Sequence, residues 1–320
     1  MNQSYITLNN GQKIPQIGLG VFFIYDANEC KQICLNAFKM GYRNIDLDHA
    51  NFNEKSVGEA VKESGIPREE IIITTKLTFN EYGKEITMKA IDKSLENLGT
   101  DYIDILLMNQ PGPNLIDGWK EMEKAVELGK VKSIGLADFD QENIEVILKN
   151  ASIKPAICQI ECNPFNTNES LRNYIKEKNL NINIISWFPL GRQFQRSKNV
   201  PVLEELSKKY NKSTFQIILR WHIQNGFIII PKSTKLNHIQ ANFEIFNFEI
   251  SSEDMEKIEL IGQDDDEDED DGKCGFTTYN LSKLNDYNPK FCPCCGTGDR
   301  VTTHRVTGGP IILCFSDSYE

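Results

Sequence analysis

The stretch IDILLMNQPGPNLIDGWKEMEKAVELGKVKSIGLA (103–137) decides the fold. It opens on a short apolar run, IDILLM (103–108), of strand length. LIDGWKEMEKAVELG (115–129) follows, with apolar residues at helical spacing and Gly129 where the helix should stop. VKSIGLA (131–137) then returns to a short apolar run. Two strands separated by a helix of this length make a parallel βαβ unit.

The same alternation extends in both directions. Further runs are IGLG (17–20), NID (44–46), IIITTK (71–76), AICQIE (156–161), INIISWF (182–188) and FIII (227–230), which brings the total to eight. Amphipathic segments lie between them, such as ANECKQICLNAFKM (27–40), which ends at Gly41. Eight strand–helix alternations over so short a span predict a (β/α)₈ TIM barrel. An open doubly wound sheet is the alternative. GLGVFF (18–23) has only the first two glycines of a dinucleotide-binding G-x-G-x-x-G turn, which weakens it. Residues 4–14 alternate around Asn10-Gly11 and predict a β-hairpin ahead of the barrel.

Composition divides the chain further. The net charge is −11, but residues 264–271, DDDEDEDD, carry −8 of it. The rest of the chain is near −3, and nucleic acid is not an expected partner. The expected organisation is a barrel over 1–262, an acidic linker over 263–272 and an irregular Cys-rich tail over 273–320. Cys30, Cys34, Cys158 and Cys162 lie in the barrel, and Cys274, Cys292, Cys294, Cys295 and Cys314 in the tail. MNQSYITLNN does not read as a secretory signal, and no run is apolar enough for a membrane span. A cytoplasmic monomer with reduced barrel thiols is the expectation. KFCPCCGTGD (290–299) with His304 offers soft ligands for zinc, although C-x-C-C is not standard zinc spacing.

A barrel carries its chemistry at the C-terminal ends of its strands. Those ends are Asp46, Lys76, Asn109, Ala137-Asp138, Gln159 and Trp187, with Lys232 after the last strand. Six blocks show a more specific pattern. GYRNIDLDHANFNEKSVGEAV (41–61), EEIIITTKL (69–77), LGTDYIDILLMNQP (98–111), GKVKSIGLADF (129–139), ICQIECNP (157–164) and IIIPKSTKLNHIQANFEIFNFEISSEDMEKI (228–258) are similar, in order, to successive blocks of the aldo-keto reductase family. The similarity runs from about residue 5 to 262 and leaves the tail outside.

The resemblance implies hydride transfer from NADPH to a carbonyl carbon, with a tyrosine hydroxyl protonating the oxygen. In that family a lysine paired with an aspartate tunes the tyrosine, and a histidine orients the carbonyl. The aspartate falls on Asp46 and the lysine on Lys76, both kept. The tyrosine position is Asn51, and the histidine position is Asn109. A carboxamide donates a hydrogen bond but has no proton to transfer near neutral pH.

The implied cofactor positions are changed unevenly. The Ser-Asn pair that holds the nicotinamide carboxamide falls on Ala137 and Asp138, while Gln159 is kept. Trp187 replaces the tyrosine that stacks on the nicotinamide. Lys232, Ser233 and Thr234 stand where the family grips the 2′-phosphate, with His238 in place of an arginine and Lys235 an added cation. The adenine-contacting pair falls on Ala241 and Asn242, and Gly20, Val21 and Leu190 complete the implied groove. Expected ligands are therefore NADP(H) and a small carbonyl-like molecule. His49 and Asp48 are candidate substitute acids, as are Tyr279, Tyr287 and Tyr319 of the tail.

Three functions follow as expectations. The first is an NADP(H)-binding barrel with impaired or absent carbonyl reduction. The second is an active NADPH-dependent oxidoreductase with altered acid chemistry or acceptor. The third is an interaction scaffold working through the acidic, Cys-rich tail.

Overall fold

The structure is a computed structural model that describes residues 3–191, 200–262, 301–306 and 309–314. A short antiparallel hairpin comes first, β1 (Tyr5–Thr7) and β2 (Lys13–Pro15), with Ile6 opposite Ile14. Eight parallel strands follow: β3 (Leu19–Gly20), β4 (Asn44–Asp46), β5 (Ile72–Thr78), β6 (Ile103–Asn109), β7 (Val131–Ala137), β8 (Ile157–Glu161), β9 (Asn183–Trp187) and β10 (Ile228–Ile229). They are hydrogen-bonded in sequence order from β3 to β10. The two ends also meet: Ile17 bridges Ile229 in parallel, and the Gly18 amide donates to the Ile229 carbonyl at 2.8 Å. The sheet is thus closed into the barrel that the alternation predicts.

Helices cover the outside. They are α1 (Ala27–Met40), α2 (Glu54–Ser64), α3 (Ile86–Leu98), α4 (Leu115–Glu127), α5 (Gln141–Asn150), α6 (Glu169–Glu177), α7 (Pro201–Tyr210), α8 (Thr214–Gln224), α9 (Leu236–Phe243) and α10 (Ser252–Glu259). Local sequence sets their ends. Asp26 accepts from the Glu29 amide at 2.7 Å to start α1, and Gly41 ends it at φ 107°. In the tail, β11 (Val301–Val306) and β12 (Gly309–Cys314) pair as an antiparallel hairpin, a regular element in a stretch whose sequence shows no periodicity. The acidic linker and Cys274, Cys292, Cys294 and Cys295 lie outside the described residues. Among the described residues, no helix is long and apolar enough to cross a membrane, and no group of three potential metal ligands occurs.

The core falls into two separate clusters. One lies between strands and helices and includes Trp119, Trp221 and Phe38. The other includes Ile105, Leu107, Ile157, Ile185 and Ile228, together with Leu8 and Ile14 of the hairpin region. These strand residues occupy alternate positions, so they share the face that points into the barrel. The hairpin therefore closes the lower end, and the same alternation carries Lys76, Asn109 and Gln159 to the upper end of that face.

Gly58 shows how closely the helices pack. A Cβ at this position in α2 would stand 2.2 Å from the Leu98 carbonyl oxygen at the end of α3. Helix propensity alone favours alanine over glycine by about 1 kcal/mol. The backbone clash reverses the sign at a cost of about 1–3 kcal/mol. Gly58→Ala is expected to lower the Tm by several degrees in thermal unfolding; an unchanged or higher Tm contradicts this packing.

Candidate functional site

The upper end of the barrel is organised by one carboxylate. Asp46 ends β4, and its Oδ1 accepts from Lys76 Nζ at 2.6 Å. Its Oδ2 accepts from Gln159 Nε2 at 2.7 Å. Lys76 Nζ also donates to the Leu47 carbonyl at 2.9 Å. All three side chains are buried. In the closed order, β4 and β8 are four strands apart and so face each other. The Asp46–Gln159 bond therefore crosses the barrel interior.

Beyond Asp46 the chain makes a single 3-10 turn, His49–Asn51. Asn51 is 3% exposed, and its Oδ1 accepts from the Phe23 amide at 3.3 Å. Among the described residues, its Nδ2 is buried with no hydrogen-bond partner. A donor left in this state costs about 1–3 kcal/mol. Asn109 ends β6, and its Nδ2 donates to Asp48 Oδ2 at 3.0 Å. Asp48 is buried and so adds a carboxylate to the site.

His49, a candidate acid, faces another partner: its Nδ1 stands 2.9 Å from Glu81 Oε1. The hydrogen bond to Glu81 raises the histidine's pKa against the opposing effect of burial. For Glu81, burial pushes upward, but the bond and charge of His49 and the bonds from Thr78 outweigh it and hold the carboxyl below its usual range.

The residues expected at the nicotinamide end meet as well. Gln159 pairs in register with Ala137, and the Asp138 amide donates to the Gln159 carbonyl at 2.9 Å. Asp138 sits at φ 56°, and its Oδ1 accepts from Trp187 Nε1 at 2.7 Å. Sequence reasoning treats Asp138 and Trp187 as separate departures, yet they form one donor–acceptor pair. The signal was available: an acceptor-only side chain and a donor-only side chain change together. The Asp48–Asn109 bond is a second such pair, also missed.

The remaining predicted residues lie around β3 and the turn after β10. The Val21 amide donates to the Asp46 carbonyl at 3.0 Å, and Val21 is fully buried. A Cβ on Gly20 would be 2.9 Å from the Ile230 carbonyl oxygen and 3.8 Å from Lys232 Cβ, so the turn runs directly past this glycine. Ser233 Oγ accepts from the Lys235 amide at 3.1 Å. Lys232, Thr234, Lys235 and His238 are exposed, and Asn242 and Leu190 are buried. α9 starts at Lys235 with no side-chain cap and no acidic residue in its first turn. The start of α9 and the nearby Lys232, Ser233 and Lys235 side chains suit a phosphate, with Glu29 the carboxylate whose charge reaches Lys232.

The His49–Glu81 pair gives a pH prediction. The raised histidine contributes stability below its unfolded value of about 6.5, lost as pH rises through the higher native value. The lowered glutamate contributes above its unfolded value of about 4.3, lost as pH falls through the lower native value. The Tm difference between the unmodified protein and His49→Gln should peak between about pH 4.5 and 6.5 and shrink on both sides. A difference that is flat with pH contradicts the pair.

Comparison with known proteins shows the family. The sequence model of the Aldo/keto reductase family matches residues 16–263. The glyoxal reductase of Bacillus subtilis is 41% identical over 261 residues, which is 81% of this chain and 93% of that protein. A Trypanosoma cruzi protein named 9,11-endoperoxide prostaglandin H2 reductase is 39% identical, over 82% of this chain and 93% of its own. The crystal structure of a Bombyx mori aldo-keto reductase in complex with NADP superposes with a TM-score of 0.76 at 32% identity, covering 82% of this chain and 93% of that one. The chain belongs to the aldo-keto reductase family.

Proposed function

We propose that this chain is an NADP(H)-binding barrel whose carbonyl reduction is impaired or absent. The observation that carries this reading is Asn51, a buried carboxamide with Nδ2 unpartnered among the described residues, at the position where the resemblance implies the proton donor. It can hold an acceptor oxygen but has no proton to give.

The residues suit the cofactor unevenly. The phosphate end, built from Lys232, Ser233, Lys235 and the start of α9, fits an anionic group. Gln159, Asp138 and Trp187 would meet the nicotinamide, with His238 and Asn242 toward the adenine end. When bound, NADP(H) supplies the hydride. On the chain's side, Asn51 Nδ2 would hold a carbonyl oxygen. Asn109 Nδ2 is already bonded to Asp48. Lys76 has its charge balanced by Asp46, 2.6 Å away. The buried Asp48 carboxylate opposes negative charge developing on a substrate oxygen. Neither Asn51 nor Asn109 has a proton to give to a carbonyl oxygen, which supports impaired reduction.

A second reading is an active NADPH-dependent oxidoreductase with a different acceptor. It draws on the T. cruzi relative, which is named for reducing an endoperoxide. A third reading is an interaction scaffold working through the acidic, Cys-rich tail.

Two measurements test the main reading. Fluorescence titration should show NADPH binding, weakened about 10-fold or more by Lys232→Met. Turnover of an aromatic aldehyde should be near background and should rise about 10²–10⁴-fold in Asn51→Tyr/Asn109→His. Rapid aldehyde turnover by the unmodified protein sinks the reading, and turnover of an organic peroxide alone favours the second.

A further inference from the structure

The lower end of the barrel, away from Asp46 and the residues around it, holds a cavity of its own. It has a volume of about 380 Å³ and lies between the β1–β2 hairpin and the starts of β4 and β5. Small-molecule sites commonly fall between about 300 and 1,000 Å³. Of the lining residues, Pro15 and Ile72 are buried and apolar. Tyr5 is 54% exposed, so its ring is free to meet a ligand.

Four charged side chains also line the cavity: Lys13, Arg43, Glu69 and Glu70. Arg43 Nη1 donates to the Phe38 and Tyr42 carbonyls at 3.1 and 2.8 Å, which orients the guanidinium. Its Nε stands 3.9 Å from Glu70 Oε2, too far for a hydrogen bond. An ion pair this loose and partly exposed contributes about 0–1 kcal/mol, so a ligand can part it at little cost. The side chains of Lys13 and Glu69 make no hydrogen bond or ion pair among the described residues.

The mixture of charges selects the ligand. A phosphate or a dicarboxylate would meet Glu69 and Glu70 as like charges, and a polyamine would meet Lys13 and Arg43. An α-amino acid carries an ammonium and a carboxylate on one carbon. It can set its carboxylate against Arg43 and Lys13 and its ammonium against Glu70 and Glu69, bridging the gap that the direct pair leaves open. An aromatic side chain would then lie against Tyr5, Pro15 and Ile72.

We propose that this cavity binds a free aromatic α-amino acid, held through both of its charges. The site lies at the opposite end of the barrel from Asp46, Lys76 and Gln159 and does not depend on them.

Fluorine NMR titration of the full chain tests this. The ligands are 4-fluoro-L-phenylalanine, 4-fluorophenylacetate, which lacks the ammonium, and 4-fluorophenethylamine, which lacks the carboxylate. The amino acid is expected to bind with Kd near the millimolar range. Each analogue should bind at least about 10-fold more weakly, because one charged contact is lost. Glu69→Gln/Glu70→Gln should erase the advantage over the acid, and Lys13→Gln should shrink the advantage over the amine. All three positions are exposed, and an unchanged Tm shows that the variants fold. Saturating NADP⁺ should leave the selectivity as it is. Equal binding of the three ligands, or no binding of the amino acid up to about 10 mM, overturns the proposal. So does selectivity that NADP⁺ abolishes and Glu69→Gln/Glu70→Gln does not.

Discussion

Both oxygens of the Asp46 carboxylate are committed, one to Lys76 and one to Gln159 across the barrel. Everything at the upper end is arranged around that constraint. Burying an ion pair costs several kcal/mol in desolvation unless its geometry is good and its remaining hydrogen bonds are met. Here the Leu47 carbonyl and the Gln159 amide supply those bonds. Opposite walls of the barrel are thereby joined by a polar link above an apolar interior. On the proposed reading, the link persists although Asn51 stands where the resemblance implies a tyrosine served by the lysine and aspartate. A structural role for the pair is enough to account for its presence.

Below it, strand alternation separates two chemistries along one face. Isoleucine and leucine fill the interior from the hairpin upward, and the polar side chains come only at the strand ends. The polar groups are thus held by a rigid apolar base, and most find partners in one another. Asp48 accepts from Asn109, Asp138 accepts from Trp187, and His49 stands 2.9 Å from Glu81. Asn51 Nδ2 is among the buried side-chain atoms that have no partner among the described residues, as are Asn53 Oδ1 and Thr74 Oγ1. Buried polar atoms are seldom left without partners, and those that are deserve a functional explanation.

How much of this was legible in the sequence varies with the physics. The strands and helices were plain, because hydrophobic periods of two and of 3.6 residues are written directly into the chain. Val131–Ala137 and Ala27–Met40 form with the bounds the pattern gives. Ile228–Ile229 is shorter than FIII, because ladder hydrogen bonds, and not apolar character, set a strand's length. The strand-end positions Asp46, Lys76, Asn109 and Gln159 were also legible, since alternation places them on the inner face. The regular hairpin in the tail was not, because short strands there lack a period strong enough to read.

By itself the sequence determined the barrel, the family and the identity of the side chains at its mouth, because these follow from local periodicity and from motifs read in order. Only the tertiary structure decided what those side chains do to one another. It paired Asp138 with Trp187 across 49 positions and Asn109 with Asp48 across 61, turned His49 toward Glu81, and left Asn51 Nδ2 without a partner. The physical reason is that a hydrogen bond depends on direction and on distances near 3 Å. Closure of the barrel sets both between residues far apart in the chain.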